Sequence, residues 1–257
     1  DERAFAHVLG CFGKTRVTVG EQGPLQASLY IERAWENSVW LQQLTVRAGV
    51  AEVLVRNWLH WQGTQRVVKL AFSLAAQQVT ARRDVPFGSF AMPTDGREMP
   101  LQMWMDAQGR AANGLTVGLA VLNDGKYGGD VAGDTMRLTV LRCPPYAYDR
   151  IHTLGTKARY DWVDQGLQEF TLALRPHVGD WRDAGIVQRA RELNLPVQAV
   201  TMHSHDGALP PANSLALLDS EEIELTALKP AEAGYGYIVR LADRHGRGGA
   251  GRLMWQG

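Results

Sequence analysis

Four side chains with usable chemistry stand within five positions: Asn123, Asp124, Lys126 and Tyr127, spaced by Gly125 and followed by Gly128. An amide, a carboxylate, an ammonium and a phenol together can donate to and accept from a hydroxylated ligand and hold it in one orientation. A turn needs only one or two polar residues at its tip. The bland alternative is a loop tip salt-bridged between Asp124 and Lys126, contributing under about 1 kcal/mol if exposed.

Other chemistry is thinner. His203-Ser-His205-Asp206 is the most metal-like string, since a His-x-His pair on a strand points both rings to one face. No further ligands stand nearby, so a polar strand end is the plainer reading. Hydrolysis needs a nucleophile with its base, or two carboxylates held about 5–10 Å apart. There is no Gly-x-Ser-x-Gly elbow, no His-Glu-x-x-His and no phosphate-cradling glycine loop opening a helix. Neither a catalytic residue nor a metal ligand is assigned. Trp58, Trp61 and Trp104 read as core before they read as an exposed sugar platform.

The elements that must position these residues are strands. Val68, Leu70, Phe72 and Leu74 alternate with Lys69, Ala71 and Ser73, the period of a half-buried strand. Similar runs cover 16–19, 26–33, 38–46, 51–61, 101–106, 170–174 and 235–241, with Gly or polar turns between them. That spacing predicts an antiparallel sandwich, not βαβ units. Leu119–Leu122 and Thr135–Cys143 read as two arms of a hairpin with the 123–127 stretch at its tip. Residues 146–166 read as irregular. One helix is predicted over Trp181–Leu193, where Ala184, Val187, Ala190 and Leu193 share a face and Asp180 serves as N-cap. Leu209-Pro-Pro-Ala-Asn213 reads as a linker, which puts one domain at 1–208 and a smaller one at 209–257.

Lys and Arg together number 27, as do Asp and Glu, so the net charge is zero. That gives no electrostatic ground for a nucleic acid or an anionic membrane as partner. No apolar run approaches the ~20 residues of a membrane span. Cys11 and Cys143 are the only cysteines, and two reduced, mostly buried thiols in a cytoplasmic protein is the expectation. The chain opens at Asp1-Glu2 without Met and stops just after a Gly-rich stretch, which reads as part of a longer protein.

Several segments resemble one family in order. Glu98-Met-Pro-Leu-Gln-Met-Trp-Met-Asp106 is similar to the Glu-x-Pro-x-x-x-Trp-x-Asp strand of glycoside hydrolase family 38, the α-mannosidases. Leu122-Asn-Asp-Gly-Lys-Tyr-Gly128 resembles its Asn-Asp-x-Lys-Tyr-Gly loop, with Gly125 where Cys is common. Leu138-Thr-Val-Leu-Arg142-Cys-Pro144, the Asp164 to Phe170 stretch and Pro176-His177 follow in register. Asn194-x-Pro196, Leu228-Lys229 and Val239-Arg240-Leu241 complete the order. The likeness is to the bacterial and cytosolic branch and runs over nearly the whole chain.

The resemblance implies a mainly β fold: an antiparallel super-sandwich of galactose mutarotase-like type, then a smaller β-sandwich. It implies a retaining, zinc-dependent parent whose zinc ligands and Asp nucleophile lie in an N-terminal catalytic domain. This chain is then inactive alone, its partners being that catalytic domain and an α-mannoside. Asp124 and Lys126 become the candidates for substrate contact at the cleft rim, with Asn123 and Tyr127 fixing the loop's shape. A free-standing carbohydrate-binding module, stacking Trp or Tyr on sugar faces, is the second reading. A structural or homo-oligomerisation domain is the third.

Overall fold

The computed structural model describes residues 7–146, 159–208 and 210–255. The chain divides into two compact units, Asp1–Asp84 with Ala91–Asn194, and Val85–Phe90 with Leu195–Gly257. The described residues are 55% strand and 4% helix, the mainly antiparallel β architecture expected. Of the irregular stretch anticipated at 146–166, residues 147–158 lie outside the described residues.

The first unit is built on two sheets, residues 85–90 of the large one being counted in the second unit. The large one takes β1 (Gly13–Gln22), β2 (Gln26–Trp35), β3 (Ser38–Arg47), β4 (Val53–Trp61), β6 (Gln77–Val85), β7 (Gly88–Met92), β9 (Trp104–Arg110), β10 (Thr116–Asn123) and β13 (Gly166–Val178). Its strand order is β1-β2-β3-β4-β13-β10-β9-β6-β7. The small sheet takes β5 (Val67–Ser73), β8 (Met99–Pro100), β11 (Gly128–Ala132) and β12 (Thr135–Arg142), in the order β5-β12-β11-β8. Alternate residues of both sheets form one core, with Leu59, Met105, Val121, Met136 and Leu138 all fully buried. Burial of this kind, about 1.5–3 kcal/mol per large side chain, is what holds the sheets together.

The other face of the large sheet carries a second core. Helix α1 (Ile186–Asn194) lays Ile186, Val187 and Ala190 on Trp104, Ala120, Leu122 and Ala173. Strand β10 is therefore covered on both faces, which is why 119–122 reads as an unbroken apolar run instead of alternating. The helix is pinned to the start of β4 by Glu52, whose carboxylate takes both Nε (2.8 Å) and Nη2 (2.6 Å) of Arg189.

Two expectations are corrected. The helix begins at Ile186 and not at Trp181. Residues 181–185 form turns, Gly185 has φ +66°, and Asp180 Oδ1 accepts from the Arg182 N–H (2.9 Å) at the head of that turn. Trp181, expected as the first residue of the helix, is a separate anchor, buried against Trp104 with ring centroids 5.0 Å apart. Strands β10 and β12 are not two arms of a hairpin either. They lie in different sheets, and β12 pairs with β11 and β5.

The second unit contains two two-stranded ladders, β14 (Ala216–Asp219) with β17 (Arg252–Trp255) and β15 (Ile223–Pro230) with β16 (Tyr237–Asp243). The Asp243 carboxylate organises the turn after β16, accepting from the N–H groups of His245, Gly246 and Gly248.

Candidate functional site

Residues 124–127 carry the chain from the large sheet into the small one. Asn123, the last residue of β10, is 1% exposed and shapes this crossover. Its Oδ1 accepts from the N–H groups of Gly125 (3.1 Å) and Lys126 (2.6 Å), and its Nδ2 donates to the Gln102 carbonyl (2.9 Å). The Asn123 carbonyl in turn accepts from Nδ2 of Asn194, the last residue of α1 (3.0 Å). On the far side the Tyr127 carbonyl accepts from the Leu101 N–H (3.0 Å) before β11 starts. Gly128 follows because a Cβ there would stand 2.7 Å from Glu98 Oε1.

Asp124 and Lys126 do not form the ion pair of the bland alternative. Asp124 is exposed, and its Oδ1 accepts from the Thr171 N–H of β13 (2.8 Å). Lys126 is half-buried, its ammonium 4.6 Å above the Phe170 ring, a cation–π contact. Burial lowers its pKa, while the charges of Asp164 and Asp124 oppose the shift. Tyr127 holds the loop through its backbone only, since its side chain is 67% exposed. The structure therefore places a buried amide under an exposed carboxylate, a partly desolvated ammonium and an outward phenol. That set can donate hydrogen bonds to hydroxyl groups and accept them.

Two groupings, one part-buried and one buried, were missed by reading the sequence. Glu98 and Asp130 share Lys69, Asp130 also takes Arg137 Nη2 (2.5 Å), and Thr139 donates to Glu98. These residues face one another across β5, β12 and β11, where Thr139 opposes Lys69 and Arg137 opposes Asp130. Asp106 on β9 bonds His177 on β13, Oδ1 to Nε2 at 2.8 Å, and both are almost fully buried. Asp106 and His177 end two of the motif strings, and that was the only signal available. Their meeting needs 71 residues of intervening fold.

Elsewhere, His203 and His205 lie on exposed, irregular chain and not at a strand end. Among the described residues no three His, Cys, Asp or Glu side chains converge, so the residues present do not fit a zinc ion. Trp61, Trp104 and Trp181 are core, and Trp58 is half-buried. Cys143 is buried but Cys11 is exposed, against the expectation for both. Cys11 stands outside the strands. No helix among the described residues is long and apolar enough to cross a membrane.

Comparison with known proteins shows the family. The human alpha-mannosidase 2C1 is 30% identical over 253 residues, covering 93% of this chain, and the mouse protein of that name is 28% identical over 252 residues. The chain spans 22% of the length of each. The structure of a glycosyl hydrolase family 38 protein from Enterococcus faecalis superposes with a TM-score of 0.79 at 18% identity, over 94% of this chain and 32% of that one. Residues 8–150 match the model of the glycosyl hydrolases family 38 C-terminal domain. A chain matched over more than half its length by that domain, and in register with α-mannosidases beyond it, belongs to glycoside hydrolase family 38 as a C-terminal region of its α-mannosidases.

Proposed function

We propose that this β region lines the rim of a sugar cleft whose catalytic groups, with their zinc, lie in another part of the parent enzyme, a retaining α-mannosidase of the cytoplasm. The observation that carries the reading is the loop 123–127. Its conformation is fixed by a buried amide, yet it turns Asp124 and Tyr127 outward beside a partly desolvated Lys126. A fixed loop loses little entropy when a glycoside binds, so hydrogen bonds to the sugar orient it efficiently. The two free thiols support the cytoplasmic part of the reading.

In the full-length enzyme Lys126→Ala is expected to lower kcat/KM for an aryl α-mannoside about 10- to 100-fold, which is the range of a charge-assisted hydrogen bond, about 1.5–3 kcal/mol. Asp124→Asn keeps the acceptor for Thr171 and removes only the charge, so its effect separates sugar contact from loop support. Unchanged kinetics in both variants, with the fold intact, would remove the rim assignment. A second reading, direct carbohydrate binding by the chain itself, has one observation in its favour. Tyr237 and Trp255 are partly exposed in the second unit with ring centroids 4.9 Å apart. Calorimetric binding of mannosides to this region alone, lost in Trp255→Ala, would favour it.

A further inference from the structure

The first unit contains a cavity of about 880 Å3 beside the edge strand β5, a size that accommodates a small organic ligand. It shares no residue with the loop 123–127. Its apolar lining is aromatic and aliphatic, chiefly Trp35, Trp40, Trp61 and Leu70. Its charged lining is unbalanced. Arg33, Arg66, Lys69, Arg97 and Arg137 face Asp95, Glu98 and Asp130.

The three carboxylates are already engaged. Asp130 lies between Lys69 and Arg137, Glu98 takes Lys69, and Asp95 pairs with Arg97 at 3.5 Å. Arg33 and Arg66 are left without a carboxylate among the described residues. Arg33 Nη1 donates to Gln42 Oε1 (3.0 Å) and Arg66 Nη1 to the Gln65 carbonyl (3.2 Å), both neutral acceptors. The wall is short of acceptors elsewhere too, since Trp61 Nε1 and Arg66 Nε are buried donors with no protein partner. Two uncompensated guanidinium groups beside an apolar wall suit an oxyanion carried on a ring-sized skeleton.

We propose that this cavity binds a small organic oxyanion, a phosphate ester or carboxylate on a sugar-sized ring, held by Arg33 and Arg66. The shared chemistry is an oxyanion, and the test separates its sources. The intact full-length protein is titrated calorimetrically with glucose 6-phosphate, glucuronate, inorganic phosphate and uncharged glucose. The expected result is saturable binding of at least one of the two sugar anions. Glucose and inorganic phosphate should each bind at least about tenfold more weakly, the tenfold standing for about 1.4 kcal/mol of lost interaction.

Arg33→Gln with Arg66→Gln should weaken the anion by a similar factor, and Lys126→Ala should leave it unchanged. Arg33→Gln alone, with an unaltered thermal midpoint, guards against a folding defect. Absence of saturable binding by either anion, equal binding of glucose or of inorganic phosphate, or full affinity in the double variant would each overturn the proposal.

Discussion

Lys126 and Asn123 act on the loop in opposite ways. The Lys126 ammonium is partly desolvated over Phe170, so its folded pKa lies below the ordinary 10.5. Between those two values the unfolded chain binds more protons than the folded one, and stability therefore rises with pH there. Lys126→Met keeps the stem on Phe170 and removes the titration. The rise should vanish from urea midpoints measured across the alkaline range. Asn123 supplies order instead. Asn123→Ala leaves the Gln102 carbonyl and two amides without their partner, so a loss of about 1–3 kcal/mol is expected in urea unfolding. Faster hydrogen exchange at the Gly125 and Lys126 amides should accompany it. The residue types at 123–127 were legible in the sequence as chemistry. Their division of labour was not, because Asp124 finds Thr171 and Lys126 finds Phe170 only after β13 is laid beside β10.

Between elements, the clearest device is the pair formed by Asp106 of β9 and His177 of β13, on either side of β10. The ring passes over Gly118, where a Cβ would stand 2.3 Å from it, so Gly118→Ala should cost about 1–3 kcal/mol by overpacking. The Gly179 carbonyl, 3.2 Å from Nδ1, can only accept, so Nδ1 carries a hydrogen while Nε2 faces the carboxyl. Burial alone would lower the His177 pKa, but the hydrogen bond and charge of Asp106 win and raise it above 6.5. The folded chain then binds the extra proton. The contribution is fully present below 6.5 and is lost as pH rises through the raised folded value. His177→Gln should flatten that part of the stability–pH curve, read from thermal midpoints over the neutral range. Sequence patterns supply the strands that carry this pair but not the pair, since strand alternation is silent about partners 71 residues apart.

For the molecule as a whole, the sandwich was readable because alternation survives wherever one strand face is buried, as along β12. The path between its sheets was not. A tight hairpin and a crossover from one sheet to another present the same local signals, an apolar run, polar and glycine residues, then an alternating strand. Only pairing with β5 and β11 assigns β12 to the small sheet. Because residues 124–127 join both sheets, their geometry depends on the packing between them. Leu138, fully buried in that core, is the place to test this. Leu138→Ala should destabilise by about 2–5 kcal/mol and raise loop mobility without touching a loop residue. Hydrogen exchange at Gly125 and Lys126, compared with exchange in the distant β1–β2 hairpin, would report it.

The bond from Asn194 to the Asn123 carbonyl bears on where this protein can be divided in the laboratory. Asn194 closes the first unit, and its amide also ties back to the Ala190 carbonyl at 2.8 Å. A boundary drawn one residue earlier would keep every strand of both sheets and most of the helix, yet free the loop from its anchor. Truncation series and fusion junctions in this family should therefore retain the asparagine that ends the helix, or loop effects will be mistaken for domain effects.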